Sequence, residues 1–224
     1  LLYLFKKIFF LEKCILKKRI ERSIIKPLEP ELILIEQFCD KTKSSIDIGV
    51  FRGVYSYKIA EYSSKVYGFE ANPVMFNYLN KNLTKLKKNI ILHNIALSDS
   101  EGYAKLKIPI RKKSIFKSNF EDYYEGGLAT IESDNNLSNK KFDTFDVKKL
   151  TLDSFNFDQK IGFIKIDVEG HEFSVLKGSK KILKKYKPVL LIEIDKQHSS
   201  KVKETFNYLK ELHYESFYFN GIDL

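Results

Sequence analysis

The apolar run "IGFIKID", residues 161–167, delivers Asp167, Glu169, Glu172 and His171 into the few positions that follow it, in "KIDVEGHE". Three carboxylates and an imidazole at that spacing can take up, hold or pass on a proton, or hold a cation. Lys165, Asp167 and Glu169 alternate with Ile164, Ile166 and Val168, so the charged set shares one side for as long as the chain stays extended. A central parallel strand is normally apolar on both faces, so charges here need partners or a purpose. Lys165 can neutralise one carboxylate, and Glu193, ending the apolar "PVLLIE", can bind substrate or pair with Lys165.

Two further motifs stand where apolar runs stop. "DIGVFRG", residues 47–53, has the spacing DxGxxxG, in which Gly49 and Gly53 allow a tight turn and close approach of a ligand. A dinucleotide loop would read GxGxxG around a pyrophosphate. Here Asp47 adds negative charge, which disfavours phosphate and suits a cationic ligand such as the sulfonium and ammonium of S-adenosylmethionine. In "GFEANP", Glu70 stands where an acid can accept hydrogen bonds from both hydroxyls of a ribose. Asn94 marks a third such position.

The elements that must position these groups alternate. "SSIDIG", "KVYGFE" and "NIILHNIAL" read as strands, separated by helices in "GVYSYKIAEYS" and in "NPVMFNYLNKNLTKLKK", the latter capped by Asn72 with Pro73 at its first position. Such alternation predicts a parallel sheet wound through right-handed crossovers, whose ligands bind beyond the carboxyl ends of the strands. Residues 102–150 interrupt the rhythm with short strands in "GYAKLKIPI", "LATIES" and "DVKKLTLDSF" and read as an insertion. In it, "FKSNFEDYYEGGL" offers aromatic side chains and a glycine pair suited to a lid. The pattern resumes with "IGFIKID", a helix from about residue 171 to 186, the strand "PVLLIEI", a helix over about 199–212, and a closing strand near "YESFYF".

A chain of 224 residues with 43% hydrophobic and 30% charged content has the profile of one folded domain with an appendage. Its net charge of +10 is concentrated: residues 1–26 carry eight Lys and Arg against Glu12 and Glu21, leaving only +4 on the rest. Arginines are few (Arg19, Arg22, Arg52 and Arg111), whereas phosphate and guanine recognition favours Arg, so nucleic acid is not expected as a partner. Residues 1–30 form a basic amphipathic helical segment and residues 31–224 the main domain. Leu1, Leu4, Ile8, Leu11 and Ile15 make a helical stripe that Lys6 and Lys7 interrupt, too short to span a bilayer. It is expected either to pack on its own domain or to lie on an anionic membrane. Cys14 and Cys39, far apart and without metal spacing, read as free thiols in a reducing compartment. A cytoplasmic location is expected, with peripheral contact at the inner face of the membrane as the open alternative. The oligomeric state is left open.

Across residues 44–195 the sequence resembles the FkbM family of S-adenosylmethionine-dependent methyltransferases. "DIGVFRGVYS", "VYGFEANP", "NIALSDSEG", "LTLDSF", "FIKIDVEGHEFSVLKGSKKIL" and "PVLLIEI" carry the resemblance, most specifically "KIDVEGHE" with the downstream "VLKG". The resemblance implies a Rossmann-like methyltransferase fold: α/β, a mostly parallel seven-stranded sheet with helices on both faces and a reversed last strand. It implies Asp47, Gly49 and Gly53 beside the methionine part of the cofactor, Glu70 at the ribose, and Asn94, Ala96 and Leu97 on the adenine side. Asp167, Glu169 and His171 would face the acceptor, with Lys165 and Glu193 as substrate-binding groups. The loop departs from the family where Val50, Phe51 and Arg52 replace Ala-Asn-Ile, and "FEANP" replaces Glu-Pro-Asn-Pro.

The expected reaction is O-methylation of a hydroxyl on a sugar, glycolipid or related metabolite, since characterised members act chiefly on such acceptors. Asp167 or Glu169 would take the proton, directly or through His171; a divalent cation held by the carboxylates is possible but not favoured, and no metal ligand is assigned. A non-catalytic module that binds the adenosyl ligand is the alternative, and a nicotinamide-dependent reductase a more distant one that DxGxxxG disfavours.

Overall fold

The computed structural model describes residues 2–27, 29–110, 125–132, 141–194 and 201–219, with the side chains of the first helix described from residue 11 onward. Five strands make an all-parallel sheet: β1 (Ser44–Ile48), β2 (Val66–Phe69), β3 (Ile90–His93), β7 (Ile161–Ile166) and β8 (Val189–Ile192), in the order β3-β2-β1-β7-β8. The chain runs outward from β1 to β3, then crosses back to lay β7 against the other side of β1. That reversal opens a crevice above the adjacent carboxyl ends of β1 and β7, the usual place for a ligand in such a sheet.

Helices cover both faces, as the alternation of side chains along the strands requires. On one face α1 (Leu2–Ile25), α2 (Ile35–Phe38), α3 (Val54–Ile59) and α4 (Pro73–Leu86) bury Leu16, Ile20, Ile35, Ile59, Leu79 and Leu83 against Val66, Ile90 and Phe163. On the other face α5 (Glu172–Lys177), α6 (Lys180–Tyr186) and α7 (Val202–Glu211) bury Val175, Leu176, Leu183 and Leu209 against Ile46, Ile48, Phe69 and Ile166. The start of α4 follows from its sequence: the Asn72 side chain accepts hydrogen bonds from the Val74 and Met75 amides, and Pro73 occupies the first turn. The basic helix α1 is joined to α4 by an ion pair of Glu12 with Lys81, 2.8 Å, and no helix among the described residues is long and apolar enough to cross a membrane.

A second sheet forms from the short β4 (Ala96–Leu97), β5 (Gly102–Pro109) and β6 (Phe142–Leu150), with β5 antiparallel to β6 and β6 parallel to β4. Ala96, Leu106, Ile108 and Val147 form its own small core, joined by Ala71, Ala129 and Ile131.

Several boundaries differ from the sequence expectation. "NIILHNIAL" is two strands in two sheets, because the Asn94 amide donates to the carbonyls of Glu70 and Ala71 and turns the chain away after β3. The described part of "LATIES" forms no strand: Gly126–Leu128 is a 3-10 turn, and Thr130 makes a single bridge to Lys107. β6 stops at Leu150, before the 3-10 turn Leu152–Ser154. The helix expected over 171–186 is broken after Lys177, where Gly178 lies so close to the Ser98 carbonyl that a Cβ would fall 1.9 Å from it, and Asp153 accepts from the Lys181 and Ile182 amides to start α6 afresh. The main sheet has five strands rather than seven among the described residues. "YESFYF" pairs with nothing as a strand, and its Phe217 and Tyr218 are 72% and 85% exposed, so no apolar face holds it against β8. The lid expected over 116–128 falls for the most part on 111–124, outside the described residues.

Candidate functional site

The strand ends enclose a cleft of about 100 Å³ lined by Gly49 and Phe51 from the β1–α3 loop, Glu70 after β2, Ala96 and Leu97, and Asp167, Glu169 and His171 after β7; Gly126, Gly127 and Thr130 of the insertion close it. Gly49 has φ +84°, and a Cβ there would lie 1.8 Å from the Asp167 carbonyl, so the loop can cross β7 this closely only with glycine. Gly53, φ +75°, lies against Leu79 and Leu83 of α4 and does not line the cleft. Between them Phe51 takes the same left-handed region, φ +46°, unusual for a bulky residue. The Phe51 amide donates to Glu70 Oε2 at 2.7 Å, while the Asn72 amide donates to Oε1 at 2.8 Å. Burial nevertheless prevails over these two bonds and pushes the Glu70 carboxyl up to about 7.

Behind this wall lies a buried charge cluster. Asp47 and Lys165 are register partners on β1 and β7, so their side chains emerge together on the α1–α4 face. Asp47 is fully buried and accepts from Ser56 Oγ at 2.5 Å through Oδ2, while Oδ1 has no hydrogen-bond partner among the described residues. Its carboxyl is pushed up to about 6, burial outweighing the Lys165 charge. The Lys165 ammonium lies 2.7 Å from Asp167 Oδ2 and 4.3 Å from the Tyr55 ring centre. Burial alone would lower it, but Asp167 and Asp47 overcome this and raise it, so Lys165 stays charged. The carboxyl of Glu193, after β8, is raised by partial desolvation and by the Asp167 charge, although the residue as a whole is exposed.

His171 is held at both ring nitrogens: Nδ1 lies 2.5 Å from Glu132 Oε1 and Nε2 lies 2.9 Å from Ser98 Oγ. The hydrogen bond from His171 holds Glu132 below the usual carboxylate range. Thr130 Oγ1 donates to the Glu169 carbonyl at 2.7 Å, so the insertion is fastened to the turn after β7 at two points.

The structure thus brings Gly49, Glu70, Ala96, Leu97, Asp167, Glu169 and His171 to one cleft. Asp47, Gly53, Asn94, Lys165 and Glu193 do not line it. No local motif in the sequence marks Glu132, Thr130 or Ser98 as part of the site. Thr130 and Glu132, two apart in "LATIES", had the spacing to act together, but nothing local pointed to His171 as their target. Among the described residues no group of three or more His, Cys, Asp or Glu is arranged to hold a metal ion.

The sequence matches the Methyltransferase FkbM domain over residues 47–216. The methyltransferase FkbM of Methylobacillus flagellatus KT is similar in fold, with 17% identity and a TM-score of 0.50 over 77% of this chain and 38% of that one. The chain therefore spans well under half the length of that protein. A precorrin-6y C5,15-methyltransferase of Geobacter metallireducens GS-15 shows 13% identity and a TM-score of 0.45, over 82% of this chain and 69% of that one. A SAM-dependent methyltransferase of Aquifex aeolicus shows 19% identity and a TM-score of 0.38, over 89% and 87%. No curated protein is similar enough to count as a match. With most of its length matched by that one domain, including the strand ends that shape the cleft, the chain belongs to the FkbM methyltransferase family.

Proposed function

We propose that the protein is an S-adenosylmethionine-dependent methyltransferase that methylates a hydroxyl oxygen of a sugar, glycolipid or related metabolite. The observation that carries this reading is the cleft itself, which combines a glycine loop without room for a Cβ, a buried acid at the end of β2, and two carboxylates at the end of β7. The residues present suit the cofactor. Gly49 lines the cleft with backbone alone, Glu70 has lone pairs to receive ribose hydroxyls, and Ala96 and Leu97 offer an apolar surface to adenine. The present space of about 100 Å³ is below the roughly 300–1,000 Å³ typical of ligand sites. Binding therefore requires Phe51 and the Gly126–Leu128 turn to move aside.

The bound cofactor supplies an electrophilic methyl group, and the chain must hold the acceptor and remove its proton. Asp167 or Glu169 accepts that proton, with an expected contribution of roughly 10²–10⁴ in rate. Lys165 holds Asp167 in place through their ion pair, while His171, clasped by Glu132 and Ser98, orients the turn that carries Glu169. The test is methyl transfer from labelled cofactor to a panel of sugars and glycolipids, with Asp167→Asn and Glu169→Gln. Near wild-type turnover in both variants would remove the carboxylate base. A second reading, a module that binds the adenosyl ligand without turnover, is favoured by Phe51 crowding the cleft. It predicts binding of S-adenosylhomocysteine with no methylation of any acceptor.

A further inference from the structure

Helix α1 carries apolar residues on two sides, and the domain covers only one of them. Leu16 and Ile20, four residues apart, are buried on the side toward α3 and α4, and Ile24 packs beside them. Leu11, Ile15 and Ile25 lie on the other side and are 59%, 40% and 77% exposed. Positions 11, 15, 18, 22 and 25 follow one another at alternating intervals of four and three residues, so Lys18 and Arg22, both exposed, stand on that same outer face. Toward the start of the helix the sequence keeps this interval with Leu4 and Ile8. Neither acid of α1 falls on the outer face: Glu12 is paired with Lys81 of α4, and Glu21 with Lys17. A second copy of α1 would cover this face poorly, because Lys18 and Arg22 would enter the seam, where a charge is costly. An anionic lipid surface accepts both kinds of residue, since aliphatic side chains enter the acyl boundary while long basic ones reach back to the headgroups. Residues 1–26 hold eight Lys and Arg against two Glu, the charge complement of such a surface.

We propose that α1 lies in the plane of an anionic lipid bilayer, with Leu11, Ile15 and Ile25 in the acyl boundary and Lys18 and Arg22 at the headgroups. The inner side of the same helix, through Leu16 and Ile20, holds the domain to it. The helix attaches without crossing, since two charges interrupt the outer stripe and no helix among the described residues is long and apolar enough to span. The inference stands apart from the methyltransferase reading and needs no ligand in the cleft.

The test is co-sedimentation of the full chain with vesicles of phosphatidylcholine alone and of phosphatidylcholine mixed equally with phosphatidylglycerol. Capture by the mixed vesicles is expected to be at least about tenfold stronger than by phosphatidylcholine alone, and to weaken as added salt screens the headgroups. Leu11→Gln combined with Ile15→Gln should lower the partition coefficient about tenfold or more, because the apolar contact is lost. Lys18→Gln combined with Arg22→Gln should lower it by a similar factor, about tenfold or more, through the loss of two charges at the surface. Tyr103→Gln combined with Lys148→Gln removes an exposed ring and a charge from the second sheet and should change nothing. All of these side chains are exposed, so the variants should keep the wild-type melting curve, which circular dichroism checks. The chain has no tryptophan, so Leu11→Trp introduces a sole fluorescent reporter. Its emission should shift to the blue on the mixed vesicles and be quenched by brominated lipid, whereas Lys148→Trp should show neither change. Absence of capture by the mixed vesicles would overturn the proposal, as would undiminished capture in the Leu11→Gln and Ile15→Gln double variant or an unshifted Leu11→Trp emission. A dimer in sedimentation equilibrium that this double variant loses, without vesicle capture, would overturn it in favour of a second copy on the same face.

Discussion

Glu70→Gln separates the burial of this carboxylate from its hydrogen bonds. In the folded chain its two oxygens accept from the Phe51 and Asn72 amides at 2.7 and 2.8 Å. Glutamine keeps one acceptor and turns its NH2 toward the other amide, leaving a buried donor unpaired at a cost of about 1–3 kcal/mol. The wild-type acid carries a different cost. Its folded value is raised from 4.5 to about 7, so the native state holds a proton that the unfolded chain releases across that window. Stability from this group is therefore fully present below pH 4.5 and lost as pH rises toward 7, by about 3 kcal/mol in all. Urea unfolding at pH 4.5 and pH 8 should show the variant less stable at the lower pH. The difference should then move by about 3 kcal/mol in its favour at the higher pH. Parallel stability profiles for the two proteins would refute the reasoning, since they would mean that Glu70 titrates as a solvated carboxylate. Ribose hydroxyls donate to the ionised form, so wild-type affinity for S-adenosylhomocysteine should also rise with pH up to about 7 and then level off. In Glu70→Gln that dependence should disappear, leaving weaker binding by calorimetry.

Three further perturbations test the walls of the cleft. Gly49→Ala places a Cβ 1.8 Å from the Asp167 carbonyl at φ +84°, and should lower stability by at least about 2 kcal/mol in thermal unfolding and abolish binding of S-adenosylhomocysteine. Phe51→Asn installs a residue that tolerates φ near +46° and removes the ring from the cleft, so tighter binding in calorimetric titration is expected; unchanged or weaker affinity would show that the ring does not obstruct the ligand. Lys165→Met strips Asp47 and Asp167 of their shared ammonium, and a loss of about 3–5 kcal/mol is expected at pH 8. The loss should be smaller at pH 5, below the Asp47 value of about 6, where that acid is already neutral; an equal loss at both values would count against a buried charge cluster.

The sequence by itself determined the features that depend on neighbouring residues. The alternation of apolar runs specified the β/α order and the parallel sheet. Asn72 and Pro73 marked the start of α4, and two glycines in "DIGVFRG" marked a loop whose backbone no other residue could follow closely. Glu70 was legible as the acid at the end of β2 for the same local reason. The tertiary structure alone decided which groups meet. The register of β1 against β7 sets Asp47 beside Lys165 and turns both behind the cleft wall, although each stood at a strand end in the sequence. Asn94 divides one apolar run between two sheets because its amide finds carbonyls 23 and 24 residues earlier. Glu132, in the insertion, reaches His171 across 39 residues, and Ser98, just after β4, reaches it across 73, contacts that no local pattern announces. Backbone preference and periodicity act over one or two turns of chain, whereas the pairing of charges is fixed by register and packing between segments far apart in sequence.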